Sequence, residues 1–356
     1  MTNETMRCPT LRELPAPAKH KTGWPLTEES ERLPEKMPDG RPWPKISIVT
    51  PSYNQGQFIE ETIRSVLLQG YPNLEYIIID GGSTDSSVDI IKKYSPWLTY
   101  WVSEPDRGQS HAINKGWKMA TGEIFAYLNS DDTYLPGAII AAESFLTEHP
   151  DISMIYGDCN FIDEEGKIMR TYHGKEFDIR KMLFANIIPQ QTVFFRDHVL
   201  DRIGYLDESL HMVMDRDMWI RIGLKLKLKY IAVLLANMRW CASNKSTAQI
   251  ANFLPERLRV ISKVVASPDA PKDFKVLKRR AYSHNYLIMG THYYRAGELK
   301  EAKRHLMKSI LVYPPRLFET NVSKKLVKSL MGKNLILLCK KLKKRLFSIS
   351  KSSPST

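Results

Sequence analysis

The chain has 356 residues, 43% apolar and 26% charged, with a formal net charge of +13; this is enough for one large domain and a smaller one, and the ordinary composition excludes a largely disordered protein. Cys8, Cys159, Cys241 and Cys339 lie far apart, which argues against a disulfide framework or zinc site and for reduced thiols in a cytoplasmic setting. The basicity is uneven, since eleven Lys or Arg and one acidic residue from Arg316 onward account for +10 of the total, and no apolar run reaches the roughly 18 to 20 residues of a membrane span, nor does the start read as a signal peptide.

Residues 1–44 hold eight prolines and no apolar period, so they read as an extended arm. Ile46 to Val49 is a buried-strand pattern ending in Thr50-Pro51-Ser52-Tyr53-Asn54, and the next helix carries Phe58, Ile59, Ile63, Val66 and Leu67 on one face. A second strand, Leu74 to Ile79, closes on Asp80-Gly81-Gly82-Ser83-Thr84-Asp85 and a helix to about Lys93. Tyr100 to Val102 leads through Glu104-Pro105-Asp106-Arg107-Gly108 into a helix from about Gln109 to Met119. Ile124 to Leu128 then delivers Asn129-Ser130-Asp131-Asp132. Strand and helix alternating at this spacing imply an α/β fold with a mostly parallel sheet and helices on both faces. Every polar cluster then falls at a strand's C-terminal end, where open α/β sheets hold ligands. Two adjacent carboxylates there need a counter-charge, and a divalent cation shared with a diphosphate supplies one; the alternative is a polar turn before the helix that starts near Pro136.

Beyond that helix, which runs to about His149, the pattern predicts a strand at 154–156, a hairpin around Asp163 to Gly166, a strand at 192–195, a helix from about Asp215 to Leu224 and a strand at 230–235, with helices from about Phe253. The domain reading is an arm (1–44), an α/β domain (45–250), a helical region (251–315) and a basic tail (316–356). Tyr286, Met289, Gly290, Tyr293, Ala302, Leu306, Ser309 and Pro314 fall at positions that resemble one tetratricopeptide repeat. In the tail, Met331, Leu335, Leu338, Leu342 and Leu346 form an apolar stripe ringed by lysines. That pattern suits an amphipathic helix on an anionic membrane, or a solvated helix docked on the protein; with Phe347 as its only aromatic beside the stripe it does not suit nucleic acid.

The segments around Thr50, Asp80, Gly122 and Asp131 together resemble family 2 glycosyltransferases of the GT-A fold, in that family's order and spacing, over roughly 45–247. The resemblance implies metal-dependent inverting transfer of a sugar from a nucleotide diphosphate donor, most often UDP, to an acceptor hydroxyl of a lipid-linked or polysaccharide glycan at the inner face of the cell membrane. It places Thr50, Pro51, Tyr53, Asn54, Asp80, Ser83, Asp85, Arg107, Asp131 and Gln191 around the nucleotide sugar. Asp132, with Asp131, would ligate Mg²⁺ or Mn²⁺, and Asp215 would be the base. On physical grounds Asp80 can accept from a nucleobase or cap the next helix, Tyr53 can stack on the base or serve the core, and Arg107 can meet phosphate or pair with Asp106 or Glu104. Asp215 and Asp217 are two apart on a helix, so one faces the crevice; Asp215 is the expected base and Asp217 a structural residue. Cys241 stands where relatives often carry His.

Two other functions compete. A nucleotidyltransferase would use the same sheet and acidic ligands, but Thr50-Pro51-Ser52-Tyr53-Asn54 lacks the Gly-rich, basic character of a triphosphate loop. A non-catalytic sugar-binding or scaffold protein has no need of Asp131, Asp132 and Asp215 together.

Overall fold

Isoleucine-rich segments build the centre of the sheet. β1 (Ile46–Ser52) and β2 (Leu74–Asp80) are buried at every position and pair in parallel from Ile46 opposite Leu74 to Ser52 opposite Asp80. β3 (Tyr100–Ser103) adds in parallel beyond β2, and β4 (Ile124–Tyr127) adds in parallel on the far side of β1. The helices α1 (Ile59–Leu67), α2 (Ser87–Tyr94) and α3 (Gln109–Met119) make the crossovers. α3 approaches β1 so closely that a Cβ on Gly116 would meet Val49 Cγ1 at 2.4 Å. The chain steps from β1 outward to β2 and β3, then returns to place β4 on the other side. That reversal opens a crevice between the C-terminal ends of β1 and β4.

The computed structural model describes residues 8–17, 22–241, 250–327 and 329, which fall in two units, 1–249 and 250–356. In the first, β5 (Thr133–Tyr134), β6 (Met154–Ile162), β7 (Ile168–Tyr172), β8 (Phe194–Arg196) and β9 (Leu228–Arg239) complete a nine-stranded sheet ordered β3-β2-β1-β4-β8-β6-β9-β5, with β7 paired to β6. Parallel pairing dominates the first half, while β8 runs antiparallel to both β4 and β6. β6 and β9 extend well beyond 154–156 and 230–235, because the polar Asp158, Asn160 and Asn237 interrupt their apolar runs while the β6–β9 ladder continues to Ile162 opposite Arg239. Gln190–Thr192 forms a single 3₁₀ turn rather than the start of a strand. α4 (Ala138–Glu148), the short α5 (Ile179–Met182) and α6 (His198–Ile203), and α7 (Met214–Lys225) fill the connections.

The described part of the arm is fixed. Cys8, Leu14 and Trp43 join the main core, and Arg64 of α1, with no exposed surface, donates to the carbonyls of Pro15, Pro25 and Leu26 and to the Tyr94 hydroxyl. Trp24 Nε1 donates to the Tyr134 carbonyl at 2.7 Å. In the second unit, α8 (Ile250–Val265), α9 (Phe274–Ala296) and α10 (Leu299–Val312) are consecutive helices, the last two joined through Gly297 in the left-handed conformation. Met289, Ala302, Leu306 and Ser309 are buried between them, and a Cβ on Gly290 would meet Leu306 Cγ at 2.9 Å. The apolar stripe from Met331 to Leu346 lies outside the described residues.

Candidate active site

The crevice is a cleft of about 1090 Å³. Its β1 wall carries Pro51, Tyr53 and Asn54; its floor carries Asn129, Ser130, Asp131 and Asp132 at the end of β4; Gln191 and Asp215 approach from the second half of the sheet. The acidic pair and the proposed base therefore open onto one space.

Two loops are laced together at the C-terminal ends of β1 and β2. Asn54, in the left-handed region at φ 51°, donates its N–H to Ser83 Oγ at 2.8 Å and accepts from Thr84 N–H at 2.9 Å. Asp85 accepts from the N–H groups of Gly56 and Ser87, both at 2.9 Å. Burial pushes the Asp85 carboxyl up, but these bonds outweigh it and hold it below the ordinary range. A Cβ at Gly56 would meet Ser86 Oγ at 2.2 Å, so a larger residue there would have to displace that hydroxyl.

Asp80 is fully buried; its carboxylate accepts from Gly82 and Ser83 N–H, from Ser83 Oγ at 2.5 Å and from Ser103 Oγ at 2.7 Å. It organises the loop whose Gly81 lines the cleft. Thr50 is also buried, its hydroxyl 3.0 Å from the Tyr76 hydroxyl. Arg107 pairs with Glu208 at 2.7 Å rather than with Asp106 or Glu104; Asp106 accepts from Gly108 N–H and Glu104 pairs with Lys115. Thus Pro51, Tyr53, Asn54, Asp131, Asp132, Gln191 and Asp215 line the cleft, whereas Thr50, Asp80, Ser83, Asp85 and Arg107 do not. Tyr53 is 62% exposed, a ring held out of the core.

Asp132 is 2% exposed and held by three donors: the Arg239 N–H at 2.9 Å, Gln191 Nε2 at 2.9 Å and Asn129 Nδ2 at 3.2 Å. Burial raises the Asp131 carboxyl to about 6, countered by its own backbone N–H and the Arg239 charge, and raises Asp132 well above the carboxylate range, with Asp131 adding to the rise. Two neighbouring carboxylates, Asp132 buried and Asp131 partly so, cannot both ionise cheaply. Arg239, 1% exposed, donates Nε to the Asp131 carbonyl, Nη1 to the carbonyls of Asp163 and Glu164, and Nη2 to Glu61 at 2.6 Å. It bolts the acidic turn to α1 and to the β6–β7 hairpin.

Asp215 lies in the first turn of α7, where burial raises its carboxyl and bonds from Arg216 N–H and Asn186 Nδ2, the latter at 2.8 Å, oppose the rise. Asp217 points away, fully buried in an ion pair with Arg221 at 2.7 Å, as its spacing from Asp215 requires. The buried Tyr127 hydroxyl is pushed up by burial and by the charges of Asp215 and Asp132, so one ring feels both carboxylates. Asn186, Tyr127, Asn129, Gln190, His211 and Trp240 also line the cleft. Asn129 belongs to the acidic segment at the end of β4 and Gln190 to the segment of Gln191, whereas no motif marks Asn186, and His211 reads in sequence as a lone structural histidine. Cys241 is buried and off the cleft wall.

Among the described residues no group of three or more His, Cys, Asp or Glu side chains is placed to hold a metal ion. The two carboxylates, an all-oxygen set with room beside it, still fit Mg²⁺ or Mn²⁺, which take few protein ligands when phosphates and water complete the shell.

Sheet order, crevice and acidic strand end define a protein of the GT-A fold. The family model for glycosyl transferase family 2 matches residues 47–200. An uncharacterised glycosyltransferase of Mycobacterium tuberculosis is 30% identical over 184 residues, 51% of this chain and 70% of the relative. A PGL/p-HBAD biosynthesis glycosyltransferase of Mycobacterium bovis is 29% identical over 220 residues, 59% of this chain and 83% of the relative. The chain belongs to glycosyl transferase family 2. Among solved structures, S. aureus TarS 1–349 in complex with UDP-GlcNAc aligns with a TM-score of 0.58 at 17% identity, over 80% of this chain and 89% of that one. The longer TarS structure is covered over 54% of its length. The mannosyltransferase PcManGT of Pyrobaculum calidifontis, in complex with GDP-Man and Mn²⁺, aligns with a TM-score of 0.52 at 18% identity, over 81% and 86%.

Proposed function

We propose that this glycosyltransferase moves a sugar, with inversion, from a nucleoside diphosphate donor to a hydroxyl of a lipid-linked or polysaccharide acceptor in cell-surface glycan synthesis. The observation that carries the reading is the shared cleft of Asp131, Asp132 and Asp215. A UDP donor is preferred, in line with the UDP-GlcNAc that the TarS structure binds. Tyr53 stacks on the base, and the laced loops set by Asp80, Ser83 and Asp85 hold the nucleoside end.

Asp132, with Asp131, would hold Mg²⁺ or Mn²⁺, which when bound neutralises charge on the departing diphosphate. The chain's own residues do the rest. Arg239 fixes the turn that presents both carboxylates, Gln191 and Asn129 orient Asp132, and Asp215, steadied by Asn186, takes the acceptor proton as the new bond forms. Acceptor sugars enter over Trp240, which is 43% exposed on the cleft rim and packs near Phe161. The basic tail (316–356) holds the enzyme at the anionic inner face of the membrane.

Replacing the base tests the reading. Asp215→Asn should lower transfer by about 10² to 10⁴ while leaving nucleotide-sugar affinity within about twofold. Transfer assays and calorimetry on the same preparations separate the two quantities; unchanged transfer would remove Asp215 from the chemistry.

A further inference from the structure

Charge divides between the two units. Residues 1–249 carry 28 basic and 33 acidic side chains, whereas residues 250–356 carry 24 and 6, so the basicity is a property of the whole helical unit and not of the tail alone. Its antiparallel hairpin is fixed by Ser283 Oγ donating to the Ser309 carbonyl at 2.8 Å and Arg279 Nε to the Val312 carbonyl at 3.1 Å. At the same end, buried Arg316 clamps the turn after α10, donating to Ser283 Oγ at 3.1 Å and to both Glu319 oxygens at 2.8 and 2.9 Å. The residues that follow it are held outward: Leu317 is 47% and Phe318 86% exposed, with Leu311 at 72% and Val276 at 79% nearby along the hairpin.

We propose that this end of the hairpin, where Val276, Leu317 and Phe318 stand exposed with Lys275, Arg279 and Arg280, is a docking surface for an anionic lipid bilayer. Apolar side chains on a rigid turn enter the acyl boundary, and the basic ring meets the headgroups, each cation adding about 1 kcal/mol. A soluble polyanion would be satisfied by the charges and gain nothing from an exposed phenylalanine. A second copy would set one strongly basic unit against another. The inference is independent of the transfer chemistry and of the tail's stripe, since it places the contact on folded residues.

The test uses the full chain with vesicles of phosphatidylcholine containing about one third phosphatidylglycerol, followed by hydrogen exchange. Protection should appear in peptides covering 274–280 and 311–319. V276S/F318S should weaken vesicle partitioning by about tenfold while leaving donor hydrolysis and heparin binding unchanged. Protection confined to 331–356, protection that grows with protein concentration without vesicles, or wild-type partitioning of V276S/F318S would each overturn the proposal.

Discussion

As the proposed base Asp215 would have to be ionised, yet its surroundings favour the neutral form: burial raises its carboxyl, and the Arg216 N–H and charge and Asn186 recover only part of the cost. As a base it becomes competent as pH rises through that elevated value, so the acid limb of the transfer profile should lie above the roughly 4 of an ordinary carboxylate. The same elevation has a defined sign in stability. A carboxyl raised in the folded state contributes stability below its unfolded pKa and loses it as pH climbs through the folded one. Asparagine keeps the shape and can still accept from Asn186 but carries no charge to bury. Asp215→Asn should therefore melt at or above the wild-type temperature at neutral pH, with the gap closing toward about pH 4. Metal-free scanning fluorimetry across pH reads this; a neutral-pH loss of several degrees would mean that the charge itself supports the fold.

At the scale of elements, β9 and α1 hold the acidic turn although neither belongs to it. The Arg239 side chain joins Glu61, the Asp131 carbonyl and the hairpin carbonyls of Asp163 and Glu164 in a nearly dry setting. Removing one partner of a buried ion pair costs about 3 to 5 kcal/mol. Arg239→Met should lose stability of that order in urea and raise the Mn²⁺ concentration for half-maximal donor hydrolysis by about tenfold or more, as loss of an outer-shell support does. E61M/R239M should recover part of the stability; wild-type stability and Mn²⁺ response in the single variant would show the bolt to be idle. Arg239 also shows where sequence reading stops. Asp131 and Asp132 are legible because an apolar strand ends on them, and β1 to β4 because short, mostly apolar runs alternate with helical patterns. Two of the three donors to Asp132 come from Gln191 and Arg239, 59 and 107 residues away, and no local period announces such contacts. β6 and β9 are under-read for a related reason: Asp158, Asn160 and Asn237 sit inside them because neighbouring strands and side chains satisfy their polar groups.

At the scale of the molecule, the proline-rich arm poses a problem that one side chain solves. Prolines give the arm no ladder to join, so its carbonyls, once pressed on the core, need donors from elsewhere. Arg64 supplies them to Pro15, Pro25 and Leu26, from a position in α1 outside the apolar stripe of Ile59, Ile63, Val66 and Leu67, which the arm nevertheless buries. The apolar contacts of Cys8, Leu14, Leu26 and Trp43 then hold the belt down. Arg64→Met keeps the packing volume but strips the donors. Each carbonyl left dry costs about 1 to 3 kcal/mol, so the arm should lift before the sheet unfolds. Limited trypsin digestion should then cut after Arg32 and Lys36 markedly faster than in the wild type, with stable fragments beginning at Leu33 and Met37 accumulating. An unchanged digestion pattern would mean that the apolar anchors hold the arm without the guanidinium.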